Sequence, residues 1–137
     1  MPPVLRCSAQ KGRATLTLTC IRMGEDLCVT LAGGDREHIG AVALAQACAS
    51  AADPAHRTST CSVLALPGHR EDGLARTLAS RLSAALGATV CVACGIHLEA
   101  IASAEIEDVL AMAEELGAEL LRRLALGDGK RPARATS

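Results

Sequence analysis

Alternation is sharpest in residues 13–22, where Thr15, Thr17 and Thr19 separate Ala14, Leu16, Leu18 and Cys20. Side chains in a strand point to opposite faces in turn, so this run predicts a strand buried on one side. Met23-Gly24-Glu25-Asp26 supplies a short turn and Leu27-Cys28-Val29-Thr30-Leu31 a second strand, together an antiparallel hairpin. Residues 1–12 carry little pattern and fit a frayed arm or a short edge strand. Past Gly33-Gly34, the alanine-rich residues 39–49 suit a buried strand or a short helix, with a strand expected at their start. Residues 50–58 contain Asp53-Pro54 and read as a loop. Residues 60–66 then predict a buried strand that stops at Pro67-Gly68.

The period changes next. Leu74, Leu78, Leu82 and Ala85-Leu86 recur at helical spacing, with Arg76, Arg81 and Ser83 assigned to the opposite face, so residues 73–86 predict a helix ended by Gly87. Residues 89–93 read as a short strand running on to Gly95. A long helix opens near Ser103, a candidate N-cap, with a seam of Ile106, Val109, Leu110, Met112, Ala113, Leu116, Leu120 and Leu124. Strand, helix and strand over residues 60–93 make a β-α-β crossover, whose two strands are expected to be parallel. The predicted fold class is α/β (α+β): a mixed, mostly antiparallel sheet of about five strands with two helices and one β-α-β crossover. No repeat or linker divides the chain. Residues 1–126 read as one domain and residues 127–137, with Lys130-Arg131-Pro132-Ala133-Arg134, as a disordered basic tail.

Composition narrows the function. Half of the 137 residues are apolar, enough for one modest core, yet there is no Phe, Tyr or Trp. An interior of small aliphatic side chains gives thin anchoring, and a homodimer is expected to add burial. Without aromatic rings there is nothing on which to stack unpaired bases, and a net charge of −1 gives no cationic field, so nucleic acid is not expected as a partner. No apolar run approaches the ~20 residues that span a bilayer. The opening Met1-Pro2-Pro3-Val4-Leu5-Arg6 lacks the apolar core of a secretory signal. The seven cysteines form no disulfide framework. A reduced, cytoplasmic protein with no membrane partner is the expectation.

Candidate chemistry gathers at three joints where histidine sits beside glycine: Gly33-Gly34-Asp35-Arg36-Glu37-His38-Ile39-Gly40, Pro67-Gly68-His69, and Gly95-Ile96-His97. Parallel strands 60–66 and 89–93 would end at one sheet edge, bringing His69 and His97 together. If residues 39–44 run antiparallel to them, His38 and Gly33-Gly34 join the cluster. The helix that follows begins near Glu71-Asp72, and its free N–H groups form an anion site, with donors from His69 and Arg70. Glu71 and Asp72 would repel a phosphate unless a cation bridges, and they equally suit ordinary helix-start acids. His69, His97 and Glu71 or Asp72 have zinc-type ligand chemistry without the close spacing of a dedicated motif, so a metal is left undecided. Cys91-Val92-Ala93-Cys94 lies in a strand rather than at a helix start, its sulfurs on opposite faces, and reads as buried thiols. No nucleophile elbow surrounds Ser62, and no Walker or dinucleotide fingerprint is present.

In this order, these blocks resemble the LpdD-like family of prenylated-flavin chaperones, proteins associated with UbiD-type decarboxylases. The resemblance rests on Asp26-Leu27-Cys28-Val29-Thr30-Leu31-Ala32-Gly33-Gly34, His38-Ile39-Gly40-Ala41-Val42-Ala43, Pro67-Gly68-His69-Arg70-Glu71-Asp72 and Gly95-Ile96-His97. It covers residues 13–122 and implies a fold similar to proteasome assembly chaperones, often paired as dimers. It further implies a non-catalytic protein that binds prenylated FMN, with or without a bridging divalent metal. The cofactor would pass from a flavin prenyltransferase to a UbiD-type decarboxylase. Carried onto this chain, the cofactor-binding residues would be Gly33, Gly34, His38, Gly40, Gly68, His69 and His97. Two other readings stay open: a small metal-dependent hydrolase or lyase using His69, His97 and Glu71 or Asp72, and a structural assembly chaperone that uses the long helix as its partner surface.

Overall fold

The computed structural model describes residues 3–67 and 71–127; Gly68, His69 and all of the expected basic tail but Gly127 lie outside them. Six strands, β1 (Val4–Lys11), β2 (Ala14–Met23), β3 (Asp26–Gly34), β4 (Arg36–Ala49), β5 (Arg57–Ala65) and β6 (Val90–His97), form one sheet in the order β1-β2-β3-β6-β4-β5. Helix α1 (Asp72–Leu86) packs over β4, β5 and β6, and helix α2 (Ser103–Gly127) over β1 and β2. Among the described strands only the β3–β6 pair is parallel. The sheet is therefore mixed and mostly antiparallel, as expected, with six strands in place of about five. The additional one is β1, where Leu5, Cys7 and Ala9 pair across Cys20, Leu18 and Leu16.

Both helices cover the same face. There Leu16, Leu18, Val29, Leu31, Val90 and Val92 are fully buried. Beneath α1 the strand residues are small: Ala41, Ala43 and Ala45 lie against Ala75, Leu78, Ala79 and Leu82. That explains the alanine-rich run. Alanine favours helix in isolation, but here it lets a helix approach the sheet closely, and β4 stays extended through Ala49. The crossover β5-α1-β6 is present with β4 inserted between its two strands, both antiparallel to β4 and so parallel to each other.

Three local expectations need correction. Residues 60–66 do not form a buried strand: β5 is the sheet edge, with Leu64 79% exposed. Ser83 does not face solvent. It is fully buried and its hydroxyl donates to the Ala88 carbonyl at 2.6 Å, just past the left-handed Gly87. At α2 the cap comes from farther in than Ser103. Ile106 N–H donates to the Ala102 carbonyl, and Glu105 reaches back to accept the Ala102 N–H at 3.1 Å, half of a capping box. Edge strand β5 is tied to α1 by Arg57, which donates to the Ala84 and Ala85 carbonyls, both at 2.8 Å.

Candidate ligand-binding site

Strands β3 and β4 are two arms of a hairpin prised apart by β6. Gly34 and Arg36 both pair with His97, the last residue of β6, and the Asp35 N–H between them donates to the His97 carbonyl at 2.6 Å. Gly34 turns there at φ +77, and a Cβ would overlap the His97 backbone. His97 is thus wedged into the crotch of the hairpin, and that fixes its position.

One residue back, β4 bulges. Glu37 pairs with Ile96 and Ala41 with Cys94, so His38, Ile39 and Gly40 all stand opposite Gly95. A bulge re-aims side chains. Ile39 is left 58% exposed, while His38 turns inward to Glu71 at the start of α1, Nε2 to Oε1 at 3.0 Å. The same carboxylate oxygen accepts the Ile96 N–H at 3.3 Å, and the carboxylate lies where a side chain on Gly40 would stand. The pair stitches β4, β6 and α1 together in a largely buried setting. The His38 and His97 rings meet edge to face, their centres 6.4 Å apart. His97 Nε2 lies 3.1 Å from Glu99 Oε2 on the loop that follows.

An exposed ionic collar surrounds this edge. Arg13 meets Glu105 at 2.6 Å, donates to the Glu99 carbonyl at 2.6 Å, and stands 3.6 Å from Asp35. Asp35 in turn accepts the Glu99 N–H at 2.9 Å. Hydrogen bonds from Arg13 and the Ala102 N–H hold the Glu105 carboxyl down at about 2. Beside the collar a cavity of about 910 Å³ opens between α1 and α2, with Glu71, Ile96 and His97 among its lining.

Of the seven candidate residues, Gly34, His38, Gly40 and His97 come together here. Gly33 is one position back on β3, its α-carbon close against the Thr15 carbonyl of β2. Glu71, which the sequence offered as a helix-start acid or metal ligand, proves to be the hub of the cluster. Nothing in the sequence pairs it with His38, because the contact depends on the bulge. The inter-helix cavity was equally hidden, since Ile106 and Leu110 read as ordinary seam residues. Among the described residues no three His, Cys, Asp or Glu side chains are placed to hold a metal ion. The two cysteines of the strand motif separate as expected: Cys94 is buried beneath α1, its thiol pushed up to about 12 chiefly by desolvation, and Cys91 lies on the other face.

The family pattern of the prenylated flavin chaperone LpdD-like domain matches residues 10–125. The chain belongs to this family. No curated protein matches it. Among solved structures, it is similar to a chain of a chaperone complex for yeast 20S proteasome assembly, with a TM-score of 0.54 and 12% identity over 88% of this chain and 97% of that one. At that identity the likeness shows a shared fold, which fits the expectation that LpdD-like proteins and proteasome assembly chaperones are built alike.

Proposed function

We propose that this chain is a non-catalytic carrier of prenylated FMN, which it shields and passes from a flavin prenyltransferase to a UbiD-type decarboxylase. The family match over residues 10–125 carries this reading. The ligand sits at the edge where β3 and β6 end and β4 begins, held by His38 and His97 together with the backbone around Gly33, Gly34 and Gly40. Gly68 and His69 of the same proposal fall outside the described residues. The residues present suit such a ligand: imidazole donors at the edge, with a largely apolar cavity beside them. Reversible holding favours exposed, screened contacts, and His97 offers one.

The protein acts as a homodimer in a reducing, cytoplasmic setting. All seven cysteines are free thiols. The sheet face away from the helices offers the dimer surface: along β2, β6, the middle of β3 and the later parts of β4 and β5, no charged side chain occupies it. Two such faces would stack ~10 Å apart as a sandwich.

A metal-dependent hydrolase has less support. It needs Glu71 or Asp72 beside His97 and His69, and Glu71 is engaged by His38 and the Ile96 N–H.

Co-expression with a flavin prenyltransferase, followed by anaerobic absorption spectroscopy, tests the proposal. The chain has no aromatic residue, so a bound chromophore stands out. The expected result is a flavin-like spectrum that co-elutes with the protein and transfers to an apo-decarboxylase. A colourless protein that also fails to take up reduced prenylated FMN would overturn it. His38→Ala and His97→Ala are each expected to weaken binding roughly tenfold, the scale of a lost charge-assisted hydrogen bond. If both retain full affinity, the edge is not the site.

A further inference from the structure

Helices α1 and α2 touch near their middles and stand apart toward their starts. Gly117 of α2 lies against the Leu78 and Arg81 side chains of α1, and Arg81 donates to the Glu114 carbonyl at 3.1 Å. Toward the two helix starts the contact gives way to the cavity of about 910 Å³, which ends at Glu71 and His97. Its walls are mostly aliphatic, with Leu74 and Leu78 on one side, Ile106 and Leu110 on the other and Ile96 and Leu98 beneath, while Thr77, Arg81 and Glu114 are polar members of the lining. On α2 the neighbouring Val109, Met112 and Leu116 are buried, yet Ile106 and Leu110 remain 46% and 52% exposed. The chain's own packing leaves this stretch of the helix interface uncovered.

We propose that this cleft is the seat of the ring end of prenylated FMN. The inference rests on the carrier reading above and assigns that ligand a subsite outside the residues named so far. Three observations favour this occupant. The cleft is continuous with the histidine edge, so an apolar ring could lie within while its polar end remains at His97. A cavity of this size and lining suits a small amphipathic molecule. The chain has no aromatic side chain on which to stack a flavin, so a flat ring must be gripped between aliphatic surfaces, and the two helix faces supply a pair of them. Prenylation adds aliphatic carbons to the flavin, which extends the apolar part of the ligand that an aliphatic slot favours.

Anaerobic ultrafiltration with reduced prenylated FMN tests the assignment on wild type, Ile106→Glu, Leu110→Glu and Leu126→Glu. All three positions are solvent-accessible on α2, but Leu126 lies away from the cleft. Circular dichroism confirms that each variant folds, and Leu110→Gln substitutes if glutamate disturbs the helix. A carboxylate in the slot is expected to weaken binding by roughly tenfold or more, with Leu126→Glu unchanged. Folded cleft variants that bind as wild type would overturn the cleft and leave the carrier reading standing. A wild-type protein that binds no prenylated FMN would overturn both.

Discussion

Under the helices the sheet presents Leu16, Leu18, Val29, Leu31, Val90 and Val92, all fully buried, while the next positions on the same strands present Thr15, Thr17, Thr30, Ala32, Cys91 and Ala93 to the other side. Both faces are made by the same strands, with side chains half a period apart. The difference lies in size and commitment. The covered face is filled by branched aliphatics and carries the core. Across β2, β6 and the middle of β3 the open face is small and uncharged, with Leu44 and Leu64 standing 53% and 79% exposed beside them and Arg6 of β1 at its charged border. A surface meant only for water usually carries charge to block edge and face association. A neutral surface can meet its own copy across a two-fold axis without like charges opposing.

The largest expected effect separates the faces directly. Leu18→Ala removes a fully buried side chain and should cost ~2–5 kcal/mol in urea unfolding, while Thr17→Ala beside it should change stability by less than ~0.5 kcal/mol. Equal costs at the two positions would mean that the faces are not distinct in this way. Next in size is the open face itself. Thr30→Lys or Ala93→Lys should shift sedimentation from dimer to monomer with the melting temperature of the monomer fold retained; an unaltered assembly state would place the dimer surface elsewhere. The smallest effect comes from the ionic collar at the sheet edge. The folded Glu105 carboxyl, at about 2, lies below the ~4.3 of an unfolded glutamate, so its contribution is present above ~4.3 and fades as the pH falls toward about 2. Glu105→Gln should therefore lower stability slightly at pH 7, and the difference from wild type should vanish as the pH falls toward about 2.

Legibility followed the same divide. Strand β2 could be read because Leu16, Leu18 and Cys20 alternate with threonine, so burial and exposure are written in chemistry. Strand β5 misled because Val63 and Leu64 look alike as letters, yet one packs on the core while the other faces out at the edge. In β4 the alanines fit helix and strand equally, and only the closeness of α1 decides between them. The convergence of His38 and His97 was readable from strand direction, since antiparallel and parallel neighbours share ends. The His38–Glu71 contact was not, because it depends on a bulge opposite Gly95, and nothing local announces which residues a bulge will displace.

The strand order sets how this chain must assemble. The last strand made, β6, occupies the middle of the sheet, between β3 and β4. Before it arrives, the chain holds two separate pieces: the β1-β2-β3 meander and the β4-β5 hairpin. Joining them closes a long loop, as the latch from the Thr89 N–H to Asp26 spans 63 residues. Closure of that size loses chain entropy before any pairing returns it, so insertion of β6 between β3 and β4 is the expected slow step of folding. Until then the edges of β3 and β4 remain open to strangers, and a nascent chain stalled before His97 is the species most exposed to misassembly.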